Sequence, residues 1–381
     1  MQTNQRLNPF PWYRSMRETA PVYFDKQQYM WHVFRYDDVQ RVLSDYASFS
    51  SARGRGGDQP LSASMISMDP PRHRQLRALA TQAFTPRAVD ALAPRIQSIV
   101  NELLDQVMAR GQMDVIEDFS YPLPVIVIAE LLGIPPADRV RFKAWSDAIV
   151  STSNTMGAGG MTNWQAQREM VAYFTDIIAQ RRREPGADLI SGLLAAQIEG
   201  QHLTTQELLG FCVLLLVAGN ETTTNLLGNA MLCFTEQPEA WQRLRAEPAL
   251  LPSAIEEVLR YLSPVQSMFR VAAKEVELGG QRIPEYARVL AWIGSANRDE
   301  AQFPNADEFD ITRSPNRHIA FGYGIHYCLG APLARLESRI ALSAMLERFT
   351  TVRRAPDAEQ EPLESTIVYG VHSLPMTFEP G

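Results

Sequence analysis

Apolar residues recur with a helical period from about residue 70 to residue 262, whereas the alternation expected of strands is confined to short stretches near both ends. The pattern predicts a mainly α protein with a small β part (α+β). Strands are expected over 22–24, 31–34, 276–278, 282–283 and 289–293. A helix should open at Asp69-Pro70-Pro71, where a capping residue precedes proline in the first turn. Further helices are predicted over 86–110, 123–132, 137–149, 163–183 and 188–197, and the small, Gly-rich stretch 151–161 reads as a mobile connection that would act as a lid. The longest helix should begin at Thr204, which stands to Glu207 as in a capping box, and run until Pro238 forbids its continuation. About thirty residues at roughly 1.5 Å each span on the order of 45 Å, so such a helix passes through the core. Its centre, Leu214-Leu215-Leu216-Val217-Ala218-Gly219-Asn220-Glu221-Thr222-Thr223-Thr224, turns abruptly from apolar to polar.

Composition narrows the class. With 381 residues, 45% hydrophobic and 21% charged, the chain can bury a large core, and no linker or charge run divides it, so one domain over 1–381 is expected. A net charge of -7 argues against a nucleic-acid binder. The first eleven residues lack the apolar stretch of a signal peptide, and the longest apolar run, 208–218, falls far short of the roughly 20 residues that span a bilayer. A cytoplasmic protein with no membrane segment is expected. Cys212, Cys233 and Cys328 contain no C-x-x-C pair, so neither a disulfide framework nor a thiolate zinc site is indicated.

Two constellations carry chemistry. In the long helix, either Thr222 or Thr223 bonds back to a carbonyl and bends it while Glu221 faces solvent, or Gly219 admits a group to the backbone and Glu221 with Thr222 forms an acid–hydroxyl relay into a cavity. The second is Phe321-Gly322-Tyr323-Gly324-Ile325-His326-Tyr327-Cys328-Leu329-Gly330, followed by a helix with Leu333, Leu336, Ile340 and Ala344 on one face. Its spacing is not that of a phosphate loop. A Cys where a Gly-rich loop meets a helix N-terminus is favoured as thiolate, which suits a metal or a nucleophilic role; Cys212 and Cys233, on apolar faces, read as inert.

Phe-Gly-x-Gly-x-His-x-Cys-x-Gly, together with Ala218-Gly219-Asn220-Glu221-Thr222-Thr223, resembles the cytochrome P450 family of haem-thiolate monooxygenases. Glu257-Val258-Leu259-Arg260 matches that family's Glu-x-x-Arg, and Met68 to Arg77 resembles the helix crossing the haem edge in soluble bacterial members. The resemblance runs from about residue 10 to 378.

The resemblance implies a single large domain with haem b between a long central helix and the Cys-bearing loop, and Cys328 as axial ligand to the iron, its thiolate pushing electron density toward oxygen. It places Phe321 beside the sulfur, assigns His73, Arg77, Arg270 and His326 to the haem propionates, and makes Glu257 and Arg260 fold-forming. Glu221 and Thr222 become the proton relay. The substrate pocket would be lined by Met65, Ile66, Leu214, Val217, Ala218, Val265, Met268, Ile367 and Val368, none of them charged, which implies an apolar substrate such as a fatty acid, terpenoid or steroid. Hydroxylation with O₂ needs two electrons, and a chain of this length leaves no room for a fused reductase. A ferredoxin with its NAD(P)H-dependent reductase is the implied supply, docking a monomer through Arg74 and Arg335. The rivals are a peroxide-driven enzyme of the same family, disfavoured by the intact Glu221-Thr222 pair, a non-catalytic haem sensor, and a hydrolase using Cys328 with His326 or His318 as base.

Overall fold

The computed structural model describes residues 6–52, 63–150, 163–198, 200–356 and 359–381. The expected lid, 151–161, lies outside them. The chain folds as two compact units, one comprising Met1–Ser51, Gln97–Ser120 and Thr222–Gly381, the other Ala52–Ile96 and Tyr121–Glu221.

The first unit holds all the strands among the described residues: β1 (Val22–Asp25), β2 (Met30–Val33), β3 (Phe49–Ser50), β4 (Gln112–Asp114), β5 (Met268–Ala272), β6 (Val276–Leu278), β7 (Gln281–Ile283), β8 (Arg288–Ala291), β9 (Phe349–Arg354) and β10 (Pro375–Pro380). Five of them form a sheet in the order β1-β2-β8-β5-β3. The β1–β2 hairpin is turned by Asp25, whose Oδ1 accepts from the Gln27 and Gln28 N–H groups at 2.7 and 3.0 Å. Such a side-chain turn frees the backbone to reverse within a few residues. β2 then pairs in parallel with β8, Trp31 opposite Val289. β8 stops two residues short of the expected 293, because Ile293–Ala296 closes into a short helix. Val33, Val39, Val42, Leu43, Phe49, Val289 and Ala291 pack beneath the sheet. Helices Phe10–Thr19, Tyr36–Ser44 and Pro238–Ala246, strand β5 and the β4-β10-β9 sheet carry no expectation from the sequence pattern.

The second unit is helical. The helix expected from Asp69-Pro70-Pro71 begins at Arg72, capped by Pro71, while the Asp69 carbonyl accepts from the His73 N–H at 3.1 Å. The predicted 86–110 helix is two, Pro86–Asp90 and Ala93–Met108, the first capped by the Thr85 side chain. Asn163–Arg183 matches its prediction, and Leu189–Ala195 is capped by Asp188, whose side chain accepts from the Ser191 N–H. Arg139–Val150 packs along Asn163–Arg183 through edge-on rings, Phe142 with Phe174 and Trp145 with Tyr173. No described helix is long and apolar enough to cross a membrane.

The long helix is Thr205–Glu236, 32 residues. Its capping box forms as expected: the Glu207 N–H donates to Thr204 Oγ1 at 3.2 Å and the Thr204 N–H to Glu207 Oε2 at 2.9 Å.

Candidate active site

Cys328 sits at the end of a loop that its glycines make possible. Gly322 and Gly324 have φ of +74° and +72°, conformations that side chains rarely adopt. A Cβ on Gly324 would also lie 2.8 Å from the Ser44 Cα. The Gly322 N–H donates to the Ile319 carbonyl at 2.9 Å, and the Cys328 N–H returns to the Phe321 carbonyl at 2.9 Å, closing the loop on itself. Helix Ala331–Arg348 starts three residues later with Gly330 as its cap. Cys328 is exposed, whereas Cys212 and Cys233 are buried and desolvation pushes their thiols up, in line with an inert role.

The donor set fits a haem. Among the described residues no group of three or more His, Cys, Asp or Glu side chains could hold a bare metal ion. One thiolate on a glycine-opened loop suits an iron that brings its other donors in a macrocycle. In the same unit, Arg270 lies on β5 opposite Val289, 6% exposed, with Nη1 donating to the Phe269 carbonyl at 2.8 Å, and His326 ends the short 3₁₀ turn Gly324–His326. In the helical unit, His73 and Arg77 lie four apart on Arg72–Ala83. His73 is buried, and desolvation, with Arg77 nearby, holds its pKa below the usual histidine value. An anionic group there would act in the opposite sense.

At the polar switch of the long helix, Asn220, Thr223, Thr224, Asn225 and Asn229 are buried, while Leu214, Val217, Glu221 and Thr222 are only partly covered and Ala218 is exposed. Positions 214, 218 and 221 recur at helical spacing, so a mainly apolar face of a core helix is left open beside the acid. Burial pushes the Glu221 carboxyl up to about 7. Gly219 has a different use from the one expected. The space of its missing Cβ is taken by the Ile128 side chain, 2.9 Å away, so this glycine admits a neighbouring helix, Pro122–Leu131, and not a ligand.

The remaining pocket candidates divide between the units. Val265, Met268 and Val368 are half-buried and Ile367 is exposed. The structure brings three of these together: Val265 bridges Val368, the Gln266 N–H donates to the Ile367 carbonyl at 2.7 Å and the Tyr369 N–H to the Pro264 carbonyl at 2.9 Å, while Met268 opens β5 three residues after Val265. Met65 and Ile66 lie in the helical unit on the turn Met65–Ser67, the first buried and the second 38% exposed.

Glu257 and Arg260 are buried and paired through both carboxylate oxygens, at 2.8 and 2.7 Å. Arg260 also donates to the carbonyls of Asn297, Ala306 and Glu308. The sequence reading missed Arg313, whose Nε lies 3.1 Å from both Glu257 oxygens. It sits 56 residues beyond Glu257, with no local spacing to announce it. Arg335 corrects an expectation: it is no free docking cation but is bound to Glu256 through both prongs of its guanidinium. Arg74 is exposed.

The cytochrome P450 family profile matches residues 4–378. Cytochrome P450 109 of Bacillus spizizenii is 45% identical over 377 residues, covering 97% of this chain and 92% of that one. The substrate-free structure of CYP109E1 from Bacillus megaterium superposes with a TM-score of 0.94 at 45% identity, covering 99% of this chain and 100% of that one. The same enzyme in complex with testosterone gives 0.93 at 44% identity, covering 99% of each chain. The glycine-built cysteine loop and the acid–alcohol pair of the long helix thus occur in a chain that belongs to the cytochrome P450 family and is a monooxygenase of it.

Proposed function

We propose that the protein hydroxylates an apolar small molecule, a fatty acid, terpenoid or steroid, using O₂ and two electrons from a ferredoxin and its NAD(P)H-dependent reductase. The observation that carries the substrate class is the uncovered face of the long helix, where Leu214, Val217 and Ala218 precede Glu221 and Thr222. Burying such a face against a ligand stabilises the complex by about 25 cal/mol per Å². The paired segment with Val265, Met268, Ile367 and Val368 adds no charge. The testosterone complex of CYP109E1 supports the same class.

When bound, the haem supplies oxygen binding and activation, which no side chain provides. In this reading Cys328 gives the axial thiolate and Arg270, His326, His73 and Arg77 serve the propionates. The sequence holds no C-x-x-C-H attachment motif, which supports haem b held without covalent linkage. The resemblance to soluble bacterial members supports residues 1–381 acting as one haem-binding domain in a cytoplasmic monomer, and exposed Arg74 remains a docking cation for the acidic donor.

Glu221 and Thr222 move protons in this scheme. A carboxyl near 7 gives up and regains a proton with little cost at neutral pH. The Thr222 hydroxyl holds a water at the reacting face and passes the proton on. Thr222→Ala is expected to consume NAD(P)H at a comparable rate while more of it appears as hydrogen peroxide and less as hydroxylated product. Product formed per NAD(P)H is the quantity to measure, and an unchanged ratio would remove Thr222 from the mechanism.

A further inference from the structure

Several side chains of the strand-bearing unit converge on the loop that carries Cys328. Arg335 pairs with Glu256 through two parallel contacts, Nε to Oε1 and Nη2 to Oε2, each 2.7 Å. His318 Nε2 lies 2.9 Å from the same Oε2. Burial opposes ionisation of Glu256, and the hydrogen bonds from Arg335 and His318 overcome it, bringing the carboxyl down to about 2. The guanidinium carbon of Arg335 stands 4.5 Å from the centroid of the Phe321 ring, and its Nη1 donates to the Tyr327 hydroxyl at 3.3 Å. Phe321 is the residue whose carbonyl receives the Cys328 N–H, and Tyr327 immediately precedes Cys328. One planar cation therefore touches both ends of the loop.

We propose that Arg335 is a positioning residue for the axial thiolate: held in orientation by Glu256, it clamps the Cys328 loop through stacking on Phe321 and a hydrogen bond to Tyr327. A point charge cannot do this, because a lysine ammonium offers neither the two-pronged fit to a carboxylate nor a flat face for the ring. The clamp acts on the group bound to Cys328, so it rests on Cys328 being the iron ligand. Loosening it opens the sulfur to water. Hydrogen bonds to the sulfur reduce the charge it donates and shift the iron's reduction potential upward, and a sulfur on a loosely held loop leaves the iron more readily.

The experiment compares haem-loaded full-length wild type, Arg335→Met, Arg335→Lys and, as control, Arg339→Met, an exposed position one turn further along the same helix. Two quantities are read: the reduction potential, and the rate at which the reduced CO complex loses its red-shifted Soret band. Both Arg335 variants are expected to show a more positive potential and roughly tenfold faster loss of the band, the size typical of removing a group that orients a metal ligand. The control is expected to match wild type. Should Arg335→Met not load haem, Arg335→Lys, which keeps charge and stem, carries the test. Wild-type behaviour in Arg335→Met, or full recovery in Arg335→Lys, would overturn the clamp alone. A wild-type protein without the red-shifted band would overturn the Cys328 assignment and the clamp with it.

Discussion

Glu337 is 1% exposed on the helix that follows Cys328, and its Oε2 has no hydrogen-bond partner among the described residues. Burial pushes its carboxyl from about 4.5 up to about 8. Between those values the folded chain binds a proton that the unfolded chain does not, so stability is greatest at low pH and falls as pH rises toward 8. One such proton changes stability by at most about 1.4 kcal/mol per pH unit. Glu221 contributes with the same sign up to about 7. Glu337→Gln is expected to flatten the decline in melting temperature between pH 6 and 9, whatever constant offset the amide introduces, and melts across that range check it. None of this is visible in the sequence, because a Glu two residues from the exposed Arg339 looks like any solvated helix acid. The loop that carries Cys328 was legible because its shape depends on local glycines. Arg335 was misread because its partner, Glu256, lies 79 residues away.

Elements with their own punctuation were the most legible. The capping box of Thr204 and Glu207, the Asp188 cap and Pro238 mark helix ends by groups that act within a turn, and those ends appear where expected. Strands β9 and β10 were not foreseen, since their alternation is short and their pairing, Met376 opposite Arg354, joins segments with no turn between them. The tightest packing among the pocket segments is equally non-local. Asn229 Nδ2 donates to the carbonyls of Leu262 and Tyr369 at 3.0 and 3.3 Å, tying both candidate pocket segments to the long helix. One turn earlier, Asn225 Oδ1 would lie 1.8 Å from a Cβ on Gly370. Gly370→Ala must therefore displace the Asn225 side chain or the chain beside Ile367 and Val368. It is expected to lower stability by about 1–3 kcal/mol, the range for overpacking, and to weaken binding of an apolar ligand. Denaturant midpoints and ligand titrations of the haem spectrum measure the two effects.

For the whole molecule, the buried Glu257 matters more than any surface charge. It is 0% exposed and answers two arginines, Arg260 and Arg313, which together hold the carbonyls of residues between Asn297 and Glu308. Glu257→Ala would leave two cations buried without their carboxylate, and breaking such a pair costs about 3–5 kcal/mol. Against a total stability of about 5–15 kcal/mol, that removes much of the margin. The expected outcome is a large loss of soluble, haem-loaded protein, whereas Glu275→Ala, which breaks the exposed pair with Arg282, changes the yield little. Expression yield and Soret absorbance per protein distinguish the two.

The parallel pairing of β2 with β8 sets an order of events during synthesis. β2 is complete by Val33, yet its partner begins at Arg288, so the early hairpin must wait for most of the chain before its sheet can close. The helical unit ends at Glu221 and has emerged long before that. Cys328 follows roughly a hundred residues later, which at about 5–20 residues per second is a delay of about 5–20 s on the ribosome. The last part of the chain thus carries both the strand that completes the sheet and the sulfur proposed to bind the iron. A message truncated between residues 222 and 287 would yield a chain that carries every residue of the helical unit but lacks β8, which closes the sheet, and Cys328, the proposed iron ligand.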